Sequence, residues 1–470
     1  MTANLQVYLL DPQKYSPETI AVAFAKTSRS PESFKVIADE LNDAKSAEFN
    51  EKWVVGYGHS SVAEHAVLHI AVENISRLAV ECLESNRLAS YTEKSTRYQT
   101  WNADAFFIPE NLGNPTLRQE YTETCQKLLA TYLSFMPLVS DTIKKKFPSA
   151  ADESASAYER RVRSMTSDAC RFLLPASSLA NVGMTINARA LEHAITKLLS
   201  SPLREVREVG KNIKACAVEQ VPTLLKYANS DDYLECAEEK FRFTEPTIRE
   251  ASDWCRLIKS DPDAENRVLA ACLYRFNNIS YEQAIRQIEN FTLDEKKRFA
   301  NNLFECENRH LDPLRELEHA VVTIEMTVDQ GAFYEIKRHR MMTLTSQRLT
   351  ADLGYDIPRI IETAGLTDEY RECMEMAKKT YQDIAKIDLD LAAYVIPNAY
   401  NRGFIVTSNL RSLLHFIKLR SAANAHFSVR RVAQQLSSEL RKAFPVFAPY
   451  FVPEMRETAA EIESEFFFQL

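Results

Sequence analysis

The sequence predicts a mixed α/β (α+β) protein built as two tandem copies of one domain, each a mixed sheet with packed helices. Three observations predict it: blocks of sequence that recur in the same order, segments whose apolar residues alternate, and segments whose apolar residues return at helical spacing. The first block pairs "LLDPQKYSPETIAVAFAKTSRSPESF" from Leu9 with "IKSDPDAENRVLAACLYRFNNISYEQA" from Ile258. The second pairs "EHAVLHIAVENISRLAVECLESNR" from Glu64 with "EHAVVTIEMTVDQGAFYEIKRHR" from Glu318. The third pairs "NARALEHAITKLL" from Asn187 with "NLRSLLHFIKLR" from Asn409. The copies are expected to join near residue 235, giving domains 1–235 and 236–470, the second shorter by roughly thirty residues between its second and third blocks.

Each element follows from its own pattern. The first block reads as a short strand, Asp-Pro, then an Ala-rich amphipathic helix. In the second block Val322, Ile324, Met326 and Val328 share one face of a half-exposed strand. Asp329 then offers an N-cap, and Phe333, Ile336 and Arg340 recur at helical spacing, so the basic run "KRHRMMTLTSQR" closes a short helix. In the first copy Asn74 is expected to cap the equivalent helix, with Ile75, Leu78, Ala79, Cys82 and Leu83 as its buried stripe. The third block is a longer helix on which Asn409, Leu413, Phe416 and Arg420 share a face. An arginine and an amide on a core-facing stripe need partners, and a ligand could be one.

With 470 residues, 45% hydrophobic and 26% charged, the chain can bury two ordinary cores. The net charge of −8 excludes broad electrostatic attraction to nucleic acid or a membrane surface. A basic cluster must then act locally, on a small anion, or else sit at a solvated helix end where the macrodipole favours it. Nine cysteines without a CxxC pair suit reduced thiols and a cytoplasmic location. No signal-peptide pattern opens the chain, and no apolar run approaches the roughly 18 residues that span a bilayer. Glu64, His65 and His69 hint at metal, with His65 and His69 on one face of a strand, but no third ligand accompanies them and no metal is expected. Val429, Arg430 and Arg431 read as a solvated helix face.

The ordered motifs resemble those of the flavin-dependent thymidylate synthases. The first copy carries "GHSSVAEH" (58–65), "ESNRLASYTEKSTRY" (84–98), "RFLLP" (171–175) and "NARALEHAITKLL"; the second carries "LEH" (317–319), "KRHRMMTLTSQR" (337–348) and "NLRSLLHFIKLRSAANAHFSVRRVA" (409–433). A lone Arg-His-Arg is weak, whereas ordered blocks found twice are not. The resemblance implies sites shared between protomers of a tetramer, and transfer of a methylene group from methylenetetrahydrofolate to carbon 5 of dUMP, with FAD supplying hydride and NADPH recharging it. It implies flavin contacts for His59, Arg87, Arg338, His339, Arg340, Asn409 and His415. It implies nucleotide contacts for Ser95, Arg97, Tyr98, Arg171, Ser346, Arg348 and Arg411, with Arg420 on the pyrimidine as the catalytic group. Arginine suits such roles because its planar fork meets phosphate bidentately and stays charged.

Neither copy carries the whole pattern. Ser85 and Asn86 replace the first Arg and His of the triplet in the first copy, and Leu198 replaces the pyrimidine-side arginine. The second copy lacks the Gly-His pair, has Leu349 for the tyrosine and has Ala393 opposite Arg171. The family's glutamine three residues before the triplet becomes Cys82 in one copy and Glu335 in the other. These losses are complementary, so a homodimer forming a pseudo-tetramer is expected to complete each site with parts from both copies. The alternatives are an FAD-binding relative with another nucleotide or one-carbon donor, and a degenerate, non-catalytic nucleotide-binding protein.

Overall fold

The computed structural model describes residues 5–28, 30–56, 59–97, 99–241, 253–305 and 312–468. The chain forms two compact units, one comprising Met1–Ser95, Phe107–Asn111 and Ser177–Thr247, the other Thr96–Phe106, Leu112–Ala176 and Ile248–Leu470. This division does not follow the chain boundary expected near residue 235. Residues 96–106 and 112–176, which belong to the first copy by sequence, pack with the second.

In the first unit β1 (Val67–Ser76), β2 (Ala89–Glu93) and β3 (Leu179–Asn187) form an antiparallel sheet in the order β1-β3-β2. Val182, Met184 and Ile186 of β3 are buried while Asn181 and Gly183 are exposed, the alternation of a sheet with one covered face. The helices Arg77–Glu84 and Ala188–Leu199 supply the apolar cover with Leu78, Leu83, Leu191 and Ile195. The second unit holds β4 (Cys255–Ser260), β5 (Val321–Asp329), β6 (Thr343–Ser346) and β7 (Asn401–Asn409), antiparallel in the order β4-β5-β7-β6. Val322, Ile324, Met326 and Val328 all face its core, as their alternation predicts.

The duplication is visible in details as well as strand order. Val67 pairs with Asn187 and Val321 with Asn409, and each asparagine caps the helix that follows by accepting from a backbone N–H at 2.9 Å. Glu18 accepts from the N–H groups of Thr223 and Leu224, and Glu265 does the same for Val446 and Phe447. Burial pushes both carboxyls up, while these backbone donors hold them down.

Within the second unit, segments of the two copies meet across a local pseudo-two-fold axis. Ala176 N–H donates to Ile396 O and Asn398 N–H donates to Leu174 O, around an antiparallel bridge between Pro175 and Pro397. The helices Pro115–Lys146 and Thr367–Ala385 repeat the reciprocity: Thr124 bonds Thr380 at 2.8 Å, and Cys373 donates to Thr131 at 3.4 Å. Seven residues separate the members in each helix, so position i meets j′ and j meets i′, the signature of a self-complementary interface.

Several local expectations need correction. Ser76, not Asn74, caps the helix Arg77–Glu84; its Oγ accepts from Ala79 N–H at 2.9 Å. The strand runs on past Asn74, which takes φ 58° at an irregularity between Val72 and Ile75. His65 lies in the 3₁₀ turn Ser60–His65, off the strand that carries His69, so the two histidines share no strand face. Among the described residues the opening strand forms only in the second copy, as β4. Val429, Arg430 and Arg431 are buried rather than solvated, because Arg430 pairs with Glu457 at 2.8 Å and Arg431 with Glu463 at 2.6 Å and Asp356 at 3.2 Å. Cys82 is half-buried on its stripe. Among the described residues no helix is long and apolar enough to cross a membrane.

Candidate nucleotide site

The site forms where the helix Gln330–Ile336 ends. Asp329 caps that helix, its Oδ1 accepting from Ala332 N–H at 2.9 Å, and so fixes the direction in which residue 335 leaves the last turn. Glu335 there receives two guanidinia from different copies of the repeat: Arg171 Nη2 at 3.1 Å on Oε1 and Arg420 Nη1 at 3.0 Å on Oε2. Arg420 Nη2 also donates to the Glu335 carbonyl, and its Nε donates to His339 Nε2 at 2.9 Å. His339 is therefore an acceptor at Nε2 and carries its proton on Nδ1.

Arg171 reaches the site because the helix Ala155–Cys170 gives way to a 3₁₀ turn at Arg171–Leu173, and it passes beside Gly331. A Cβ at Gly331 would lie 2.9 Å from Asp329 Oδ1 and 3.5 Å from Arg171 Nη2. Arg171 is only 4% exposed, and its Nε is buried without a hydrogen-bond partner among the described residues. A buried donor left unmatched costs about 1–3 kcal/mol.

Arg97 stands beside this group. Its Nε and Nη2 hold the Asp168 carboxylate at 2.6 and 2.7 Å, a two-point pair, and its Nη1 donates to Asn424 O at 2.9 Å. His426 underlies the pair: its Nε2 meets Asp168 O at 3.1 Å, its Nδ1 accepts from Ser428 N–H, and its ring stacks on Phe427. Burial, with Arg171 and Arg97 nearby, holds His426 far below its ordinary range, so it is neutral.

The charges explain one another. Burial pushes the Glu335 carboxyl up, yet Arg171, Arg420, Arg97 and Arg338 together hold it below its usual value. Burial draws Arg420 down; Glu335 opposes this, while Arg338, Arg97 and Arg171 reinforce it by repulsion. Burial and Arg420 take His339 down to about 3 from its ordinary 6.5. Positive charge is thus gathered around two carboxylates, with Arg171 and Arg420 bonded to Glu335 and Arg97 to Asp168.

The other sequence-derived residues fall elsewhere. Arg338 and Arg340 are exposed on the turn after the helix, and His339 packs edge-on to Phe416 with centroids 4.9 Å apart. Asn409 caps the helix Leu410–Arg420, while His415, on its exposed side, has Nδ1 3.5 Å from Asp312. Arg411 binds Pro313 O at 2.8 Å and Glu318 at 3.2 Å. Ser346 receives Arg402 at 3.3 Å, and Arg348 pairs with Asp390 at 3.1 Å. His59 and Arg87 are exposed and Ser95 half-buried, all three in the first unit; Tyr98 lies outside the described residues. Asp168, Gly331 and His426 were not singled out from sequence. The only signal for Asp168 was its place one helical turn before Arg171, and for Gly331 and His426 there was none.

Comparison with known proteins agrees with the duplication. The family model for thymidylate synthase complementing protein matches the chain twice, at residues 9–223 and 256–446. The chain belongs to that family, the flavin-dependent thymidylate synthases, as a tandem-duplicated member. A UPF0159 protein of Thermoplasma acidophilum is 28% identical over 87% of this chain and 89% of its own length. A UPF0159 protein of Chlamydia muridarum is 29% identical, covering 87% and 82%. A flavin-dependent thymidylate synthase of Thermococcus onnurineus is 28% identical over 41% of this chain and 70% of its own length, the extent of a single copy. The solved structure of a UMP/dUMP methylase, PolB, from Streptomyces cacaoi bound with 5-Br dUMP is 18% identical, covers 42% of this chain and 93% of its own, and has a TM-score of 0.33, too low to argue from.

Proposed function

We propose that the chain is a flavin-dependent enzyme that methylates carbon 5 of a pyrimidine nucleotide, most simply dUMP to dTMP with methylenetetrahydrofolate and NADPH. The observation that carries this reading is the meeting of Arg171 from the first copy and Arg420 from the second on the buried Glu335, with Arg97 close by on Asp168. Guanidinia gathered in one place can meet the phosphate of a nucleoside monophosphate bidentately.

In this reading Arg97 and Arg171 hold the phosphate end. Arg420 faces the pyrimidine and stabilises negative charge as carbon 5 becomes nucleophilic, a role that can supply about 3–4 kcal/mol in a dry site. His339 and Glu335 act as positioning residues, fixing the Arg420 fork from two sides. Since His339 is neutral, it accepts from Arg420 without competing with it for the anion. No protein nucleophile is required.

The residues beside the site suit FAD. Exposed Arg338 and Arg340 offer planar donors for a pyrophosphate, and the half-exposed His339 ring offers an edge for an aromatic system. Those residues, with His415 and Asn409, would hold the cofactor, which supplies hydride and is recharged by NADPH.

Glu335 favours a second reading, an FAD-binding relative that takes another nucleotide. A buried carboxylate accepts only, and a base edge rich in N–H would meet it best. One experiment separates these readings: the visible absorption spectrum of the flavin-loaded protein during titration with dUMP, then with UMP and dCMP. Flavin bands that shift with dUMP support the favoured reading; bands that move only with another nucleotide support the second; no flavin uptake even with excess FAD sinks both.

A further inference from the structure

The duplication supplies a counterpart for each residue of the arginine cluster, and the elements that carry them fix which residue that is. Ser76 and Asp329 cap equivalent helices, and at equal distance from the two caps stand Cys82 and Glu335. Asn187 and Asn409 cap the next equivalent helices, and at equal distance from them stand Leu198 and Arg420. The 3₁₀ turns Arg171–Leu173 and Ala393–Val395 open on Arg171 and Ala393, each leading to one of the bridged prolines, Pro175 and Pro397. Arg97 answers to Arg348, because their partners Asp168 and Asp390 hold the same place before those two turns. Of the four counterparts only Arg348 keeps the charge of its equivalent.

The losses belong together. Glu335 lies buried between two guanidinia, and removing one member of such a group strands charge in a desolvated place, whereas replacing all of them by apolar groups does not. Cys82, Leu198 and Ala393 are that joint replacement, and Leu198 and Ala393 are buried. His339, which receives Arg420, is answered by Asn86, whose Nδ2 donates to Leu83 O at 2.9 Å and so closes the end of its own helix. The arginine that remains is set differently: Arg348 and Asp390 are 23% and 27% exposed, against 16% and 10% for Arg97 and Asp168, and Ser346 beside it receives Arg402.

We propose that each chain holds one nucleotide site, the one around Glu335, and that the counterpart residues are structural packing that binds no nucleotide. The proposal rests on the nucleotide reading for the identity of the ligand, and on the residue-by-residue pairing of the two copies for the number of sites. Two equivalent sets of side chains could have made two sites; one set keeps the groups that meet an anion, and the other has exchanged them for Cys82, Leu198 and Ala393.

The test is calorimetric titration of the full chain, supplied with excess FAD, with dUMP and then with UMP and dCMP, read as nucleotide bound per chain in the wild type and in Arg420→Ala. The expected result is one nucleotide per chain in the wild type. In Arg420→Ala all of the binding should weaken about tenfold or more, with no fraction left at wild-type affinity. Two nucleotides per chain, or a fraction in Arg420→Ala that keeps wild-type affinity, overturns the proposal, because a second site would not depend on Arg420. The wild-type count decides by itself if Arg420→Ala does not fold. One UMP or dCMP per chain without binding of dUMP keeps the single site and removes the dUMP reading; no binding of any of the three overturns both.

Discussion

Glu335 shows how one residue can tie together parts of a chain far apart in sequence. It is buried, ionised and held by Arg171 and Arg420, so removing either partner leaves charge poorly compensated. Arg171→Ala should cost about 3 kcal/mol or more of unfolding free energy. Arg348→Ala, which breaks a more exposed pair with Asp390, should cost under about 1 kcal/mol. Urea unfolding of the two variants checks this, and similar losses would argue that the Glu335 cluster is not desolvated as described. His339 makes a pH prediction. Its folded value of about 3 lies below its ordinary 6.5, so between these limits the unfolded chain holds more protons than the folded one. The contribution of neutral His339 is complete above about 6.5 and is lost as pH falls toward 3. The stability gap between the wild type and His339→Gln should therefore narrow as unfolding is measured from pH 7 down to pH 4; a constant gap would contradict a neutral His339.

Short elements position these residues. The helix Gln330–Ile336 has fewer than three turns, and its placement depends on the Asp329 cap and on the absence of a side chain at Gly331. Gly331→Ala should disturb the cap, because a Cβ there would lie 2.9 Å from the capping oxygen of Asp329. A loss of about 1–3 kcal/mol is expected; a fully stable variant would show that the close approach to the cap is not limiting. At this scale much was legible in the sequence. The alternation of Val322, Ile324, Met326 and Val328, the Asp329 cap and the face shared by Leu413, Phe416 and Arg420 are local patterns, and local patterns survive folding. The cap at Ser76 was not legible, because Asn74 is an equally good capping residue by type and only the length of the strand decides between them. Nor was the burial of Arg430 and Arg431: their partners Glu457, Glu463 and Asp356 lie too far along the chain for periodicity to reveal.

At the scale of the whole molecule, the order of the blocks revealed the duplication, but not how the copies share structure. The helices Pro115–Lys146 and Ala155–Cys170 come from the first copy and pack in the unit that holds most of the second. A fragment of residues 236–470 alone would lack Arg97 and Arg171 and would expose Thr380 and Cys373, which bond to Thr124 and Thr131. It should unfold without a cooperative transition; a cooperative transition would show that the second copy is self-sufficient. The complementary losses in the two copies suggested a shared site, and the meeting of Arg171 with Arg420 through Glu335 gives that suggestion a physical form. The most direct measurement is dUMP affinity, read from the flavin spectrum, for the wild type, Arg97→Ala, Arg420→Ala and the double variant. The account predicts that each single change weakens binding by about tenfold or more and that the double change costs less than the two combined, as for residues acting on one ligand. Affinity that survives either single change would contradict a nucleotide site built from both copies.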